Sequence, residues 1–210
     1  MKKTALALLT ILLMASTSFA LSYSTDFETS VGTEWSGSTS IDSSNSTFTS
    51  FLGRFGEETT TLSLSGLGSG IHNVALTFDF YAIDSWDGEG YWGGPDIFGI
   101  SGDFVDSWSV ANSTFNKTST FPYTLTSTTS GFNTSWSDDI YRNISINFSS
   151  IGDTLTLNFY ATGLQSLDDE SWGLDNISVV TDSAPVPEPA TFILLGSGLA
   201  GLAFYRRKRK

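Results

Sequence analysis

Val74-Ala75-Leu76-Thr77-Phe78-Asp79-Phe80-Tyr81-Ala82-Ile83 alternates at a period of two. In an extended strand this places Val74, Leu76, Phe78, Phe80 and Ala82 on one face and Thr77, Asp79 and Tyr81 on the other, because successive side chains point to opposite sides of the backbone. Outward from this strand the same signal recurs. Ile140 to Phe148 puts Ile140, Ile144, Ile146 and Phe148 on one face, with Arg142 interrupting the stripe. Thr154 to Ala161 turns Leu155, Leu157, Phe159 and Ala161 inward, and Leu174 to Val180 closes the sheet. Weaker strands are predicted at Ser22 to Phe27, Thr59 to Ser65, Ile97 to Ile100 and Ser119 to Leu125, while Ser36 to Ser50 reads equally as a long loop or an edge strand. No sustained period of 3.6 appears between Leu21 and Thr181. About eight short strands between clusters of Ser, Thr, Gly, Asn and Asp predict an all-β fold, a single β-sandwich of jelly-roll-like arrangement.

The composition supports a folded domain without disulfides. There is no cysteine, so packing must hold the core, and sixteen Phe, seven Tyr and six Trp supply the apolar area. Between Leu21 and Pro187 only Arg54, Lys117 and Arg142 are basic, against twenty-one acidic residues, a net charge of −18. Such a surface repels nucleic acid phosphates, which bind clustered Lys and Arg. It attracts divalent cations, basic partners or a hydrated polymer matrix.

Both ends differ from this domain. Lys2 and Lys3 precede the apolar run Ala5 to Ala15, and Ser18-Phe19-Ala20 forms a small-residue cleavage pattern. Residues 1–20 therefore read as a signal peptide that directs the chain through the Sec translocon. After the domain at 21–183 comes a Pro-rich linker at 184–189, an apolar segment at 190–205 and the basic end Arg206-Arg207-Lys208-Arg209-Lys210. Sixteen apolar or small residues make a helix of about 24 Å, which snorkelling Arg and Lys extend toward the ~30 Å hydrocarbon core. The expectation is a transmembrane helix whose basic end, 206–210, stays cytoplasmic while the acidic domain lies outside.

Val186-Pro187-Glu188-Pro189-Ala190, the apolar segment and the basic end, in that order, resemble the PEP-CTERM sorting signal of Gram-negative bacteria that make exopolysaccharide. The resemblance implies that an exosortase-type membrane protease recognises Pro187, Glu188 and Pro189 and cleaves nearby. The chain would then be anchored in the inner membrane before processing and pass to the cell surface or extracellular matrix afterwards. An ordinary single-pass anchor is the alternative.

Two acidic, tryptophan-bearing segments stand out: Asp84-Ser85-Trp86-Asp87-Gly88-Glu89-Gly90 through Asp96, and Asp168-Asp169-Glu170-Ser171-Trp172 through Ile177. Carboxylates in glycine-spaced loops can converge on Ca²⁺, which takes six to eight oxygen ligands. Asp84, Asp87 and Asp96 are one candidate set. Trp172-Gly173-Leu174-Asp175-Asn176-Ile177 and the opening Asp26-Phe27-Glu28 resemble the last and first strands of concanavalin A-like and MAM-type jelly rolls. That resemblance implies a structural calcium shared by Asp26, Glu28 and Asp175 where the terminal strands adjoin. Trp92, Trp108 and Trp136 are candidates for stacking on a sugar ring, although tryptophan is more often a core or loop-anchoring residue.

The case for catalysis is thin. His72 is the one histidine and is expected in a solvated glycine-rich turn, and neither cysteine nor a G-x-S-x-G elbow is present. A carboxylate pair could hydrolyse a glycoside, and twenty-one acidic residues make such a pair easy to imagine without pointing to one. The sequence thus predicts a non-enzymatic surface or matrix protein with a structural or adhesive role in exopolysaccharide or biofilm. A carbohydrate-binding module and a secreted glycoside hydrolase are the alternatives.

Overall fold

Strand pairing accounts for almost all regular structure among the described residues. The computed structural model describes residues 20–90, 93–114, 118–133 and 135–182, and in the tail 196–198, 201 and 205–208. The signal peptide expected at 1–20 and the linker at 184–189 thus fall, apart from Ala20, outside the described residues, as does most of the 190–205 segment. Of the tail, 196–198, 201 and 205–207 are helical, and among the described residues no helix is long and apolar enough to cross a membrane.

The unit from Phe19 to Ala184 contains β1 (Ser22–Thr25), β2 (Trp35–Gly37), β3 (Ile41–Asp42), β4 (Phe51–Phe55), β5 (Thr59–Ser65), β6 (Ile71–Asp84), β7 (Ile97–Gly102), β8 (Asp106–Ser109), β9 (Ser127–Thr129), β10 (Asp138–Ile151), β11 (Thr154–Thr162) and β12 (Glu170–Thr181). One sheet runs β3-β4-β12-β6-β10-β9, with β1 also on β12; the other runs β2-β5-β11-β7-β8. All pairings are antiparallel. The two sheets pack as a sandwich, as the alternation predicts.

The inward stripe of β6 meets the other sheet ring against ring. Phe78 lies edge-on to Phe159 at 5.7 Å between centroids, and Phe80 stacks on Phe98 at 4.1 Å. Such pairs add about 0.5–1.5 kcal/mol each beyond the area they bury. Leu62, Leu64, Leu155 and Leu157 complete the layer from β5 and β11. Beyond Phe78, β6 no longer alternates: Phe78 to Asp84 is buried throughout. There the outer face of the sheet carries a second apolar cluster of Phe51, Tyr81, Ile83 and Ile140, with Phe48 and Phe132 packed on it from the flanking loops.

Ile140 departs from its expected place. It belongs to the outer cluster, whereas Ile144 and Ile146 face the core. The register of β10 on β6 shifts between Tyr141 and Ile144, and Asn143 sits at φ 55°. This bulge inserts a residue and reverses the facing of everything before it. β12 does the same between Asp175 and Ser178, with Asn176 at φ 50°; Leu174 and Ile177 therefore both face inward. Asp79, on β6 between the bulges, is 3% exposed. Its carboxylate accepts hydrogen bonds from the Asn143 amide (2.7 Å), Asn176 Nδ2 (3.0 Å) and Arg142 Nη1 (2.8 Å).

Two further expectations are corrected. Ser119 to Leu125 is not a strand: Pro122 removes a ladder donor, and the Thr120 and Phe121 amides bond to the Ser109 carbonyl at the end of β8. His72 is fully buried near the start of β6, its Nε2 3.1 Å from the Gly68 carbonyl, because the strand begins at Ile71 and gives His72 the inward parity of Val74. Between Gly37 and Phe51 the chain forms only the two-residue β3, so Ser36 to Ser50 is mostly loop. At the far end of the domain the Leu21 amide donates to Thr181 Oγ1 (3.0 Å) and the Thr181 amide to the Leu21 carbonyl (2.9 Å).

Candidate functional site

The terminal strands do adjoin, Ser22 to Thr25 pairing with Val180 to Ile177, but they do not assemble Asp26, Glu28 and Asp175. Asp26 and Glu28 are exposed, and Asp26 Oδ1 accepts the Glu28 amide at 3.2 Å. Asp175 is 1% exposed and already saturated with donors: Oδ2 accepts from Tyr81 Oη (2.9 Å) and Thr49 Oγ1 (3.1 Å), Oδ1 from the Asn176 amide (2.7 Å). Burial raises its pKa, and these donors oppose the rise. Its role is to bind the Tyr81 hydroxyl on the outer face of the sheet. A carboxylate so occupied does not fit a calcium ligand, which must offer its lone pairs to the ion.

The second candidate set lies where β6 ends and β12 begins, and the structure divides it. Asp84, at φ 68°, turns its carboxylate to Arg54 on β4, with Oδ2 3.0 Å from Nη2. Arg54 is held by Ser171 Oγ (2.7 Å) and the Leu167 carbonyl as well, and its guanidinium lies 4.7 Å over the Phe132 ring. Burial, with Asp138 beside it, pushes the Asp84 carboxyl up to about 6 despite this cation. Asp138 accepts the amides of Asp84 (3.2 Å) and Gly131 (2.8 Å), and Asp139 those of Ser113 and its hydroxyl. These two carboxylates close the 130s loop and the 110s loop onto the sheet.

Asp87 and Asp96 are brought together, with a residue outside the expected set. The Asp96 amide donates to the Asp87 carbonyl at 2.7 Å, and Asp96 Oδ2 accepts the Asp87 amide. Glu170, the first residue of β12, lies against Asp96, and its Oε2 accepts the Gln165 amide at 2.8 Å. Asp96 and Glu170 are 0% and 1% exposed. Burial first, and then the neighbouring carboxylates, raise the pKa of both. The Glu170 contribution follows from register, since Glu170 pairs with Asp84 across β12 and β6. In sequence Glu170 is simply one of three consecutive acids.

The two described aromatic candidates, Trp108 and Trp136, do not form an exposed row. Trp108 is 8% exposed and packs edge-on to Phe121 (5.6 Å) and Tyr123 (6.0 Å); a ring enclosed in this way offers no face to a sugar. Trp136 is half-buried, and Trp92 lies outside the described residues. Trp35, Trp86 and Trp172 are core residues whose indole N–H groups are satisfied by Tyr23 Oη, the Ser171 carbonyl and the Gly56 carbonyl.

Comparison with known proteins separates tail from domain. No curated protein matches the chain. Among solved structures, dimeric latent PorU from Porphyromonas gingivalis aligns with a TM-score of 0.38 and 14% identity, over 81% of this chain and 14% of that one; this chain spans only a small part of PorU. The CBM22-1 xylan-binding domain from Paenibacillus barcinonensis Xyn10C aligns with a TM-score of 0.34 and 13% identity, over 77% and 94% of the two chains. The tail contains the proposed recognition residues Pro187, Glu188 and Pro189, which lie outside the described residues. Its match is to a family model, and residues 185–210 of this chain are a PEP-CTERM protein-sorting motif.

Proposed function

We propose that this is an exported, non-catalytic surface or matrix protein: its tail is read by an exosortase-type membrane protease, and its acidic β-sandwich serves a structural or adhesive role in exopolysaccharide or biofilm. The observation that carries the reading is the sorting motif at 185–210, in which Pro187-Glu188-Pro189 precedes an apolar segment and five basic residues. The motif implies recognition by exosortase, itself a membrane protein. The apolar segment holds the chain in the membrane until it is cleaved, and the basic block keeps its own end inside.

Two features support the non-catalytic part. The carboxylates with raised pKa, Asp84, Asp96, Asp138, Asp139, Glu170 and Asp175, are 0–1% exposed, so a glycosidic bond does not reach them, and hydrolysis needs both groups at the substrate. His72 is buried within β6. The carbohydrate-binding alternative loses Trp108 to the core.

Mass spectrometry of the mature protein from its native host, locating both ends of the chain, tests the reading. A C-terminus near Pro187 and an N-terminus near Leu21 are expected. Replacing Glu188 and Pro189 by alanine should leave an unprocessed membrane-held form. Normal processing of that variant, or an intact Lys210 in the mature wild type, would overturn the exosortase assignment.

A further inference from the structure

The outer edges of both sheets are short, with one exception. β1, β2, β3, β8 and β9 are two to four residues long, and such brevity keeps unpaired edges from joining other chains. β10 is 14 residues long. β9 covers it only from Asp138 to Ile140, and Thr126 extends that cover by one step, its Oγ1 accepting the Arg142 amide at 3.0 Å. From Ile144 to Ile151, β10 pairs with β6 on one side, and among the described residues no strand pairs with its other side.

The hydrogen bonding at the end of this stretch fixes which backbone groups face outward. The Gly152 amide donates to the Gly70 carbonyl, one step beyond the Ile151–Ile71 pair, and in an antiparallel ladder bonded and non-bonded pairs alternate. Ile144, Ile146, Phe148 and Ser150 therefore bond to β6, while Ser145, Asn147, Ser149 and Ile151 turn their N–H and C=O groups to the open edge. Among the described residues no loop carbonyl accepts a bond from these four amides. All four side chains are exposed, Ile151 by 74%. The domain carries a net charge of −18 between Leu21 and Pro187, yet Ile144 to Ile151 contains no charge and no proline, so two common guards of an edge strand are absent.

We propose that β10 pairs with β10 of a second copy of this chain, antiparallel across a two-fold axis, joining two sheets edge to edge. Like-charged domains repel, so two copies meet most readily where neither carries charge, whereas a charged partner strand finds no complementary charge on this stretch. Residues opposite each other in a ladder share a face, so odd-numbered residues must oppose odd-numbered ones. Centring the axis on Asn147 sets Asn147 against itself, Ser145 against Ser149 and Ile146 against Phe148. That register matches outward-bonding residues with one another and continues both the polar outer face and the apolar inner face. The bulge at Asn143 and the turn at Gly152, both at positive φ, bound the contact. An isologous pairing of this kind closes at two copies.

The test uses the full chain, purified in detergent. The sequence has no cysteine, so a single introduced one reports contact between copies. Across the axis the two Asn147 Cα atoms would stand about 5.5 Å apart, within disulfide reach. Mild oxidation should convert Asn147→Cys to a covalent dimer, and should link Ser145→Cys to Ser149→Cys in a mixture more than either to itself. Ser63→Cys, exposed on β5 of the other sheet, should stay unlinked. Sedimentation should show a concentration-dependent dimer, which Asn147→Lys, by setting like charges opposite each other, returns to monomer with the melting temperature of the dilute protein unchanged. A dimer that survives Asn147→Lys would overturn the proposal by placing the contact elsewhere, the apolar tail included. Equal cross-linking of Ser63→Cys and Asn147→Cys would overturn it too. So would a monomer at every concentration; an Asn147 amide that then resists hydrogen exchange would show the edge covered by the same chain. Assemblies larger than a dimer would mean that β10 joins a different edge, and would refute the two-fold pairing.

Discussion

Asn143 and Asn176 occupy matching positions on the two strands that flank β6, both left-handed, and both donate to the one carboxylate of Asp79 between them. Each is the extra residue of a β-bulge, and asparagine is among the few side chains that adopt that backbone region cheaply. Asp79 thus fixes the register of three adjacent strands at one level. Asp79→Ala should cost about 2–4 kcal/mol, since it removes bonds to a cation, a side-chain amide and the Asn143 backbone N–H. Asn143→Gly should be nearly neutral, while Asn143→Val should cost about 1–3 kcal/mol from strain at positive φ. Chemical denaturation of the three variants checks the ordering; a Val variant as stable as the Gly variant would mean that the bulge can relax.

Arg54 faces two carboxylates, Asp84 at 3.0 Å and Asp168 at 3.7 Å. Arg54→Met should therefore destabilise more than Asp84→Asn. Removing the cation strands a buried carboxylate, a loss of about 3–5 kcal/mol, whereas Asp84→Asn also removes a charge that burial disfavours. Urea unfolding of both variants decides; equal losses would show that the packing of the guanidinium on Phe132 and Ser171, not its charge, dominates.

Acid should stabilise this domain over a range where it weakens most proteins. The folded pKa of Asp84 is raised from 3.8 to about 6, and those of Asp138, Asp139 and Asp175 are raised too, in each case chiefly by burial. A carboxyl with a raised folded pKa binds more protons folded than unfolded, so its contribution to stability is complete below the unfolded value and is lost as pH rises through the folded one. For Asp84 the window runs from 3.8 to about 6. In EDTA, the melting temperature at about pH 5 should exceed that at about pH 8; a fall on acidification would contradict the raised values.

Trp108→Ala should cost about 3–5 kcal/mol as a large-to-small change in a packed core. It should leave any binding of exopolysaccharide by the folded fraction unchanged. Thermal melts together with polysaccharide pull-down separate the two effects, and selective loss of binding in a variant of normal stability would restore Trp108 as a contact residue.

Alternation along the chain located β5, β6, β7, β10, β11 and β12 and their inward stripes, because burial on one face repeats at a period of two. It could not follow the bulges: Ile140 and Ile144 share a parity in sequence and face opposite sides in the fold. Nothing in the alternation marks the outer apolar cluster, where Tyr81, read as an outward residue, and Ile83 are covered by Phe48 and Phe132 from distant loops. β2, β3, β8 and β9 are two to four residues long, too short to show a period. At the acidic end, Asp87 and Asp96 were legible as loop carboxylates, but Glu170 and Gln165 come from the other side of the sheet crossing, and only tertiary pairing brings them there. The sorting tail was wholly legible, since its order of proline, apolar and basic segments is a property of the chain and not of the fold.

The paired hydrogen bonds between Leu21 and Thr181 fasten the two ends of the sandwich to each other like a clasp. A chain cut just before the first of these residues, or a little beyond the second, keeps every rung of both sheets. Trimming at either terminus should leave the folding stability of the sandwich unchanged. A lengthened or shortened segment after Asp182 should therefore be tolerated, provided the clasp itself stays shut.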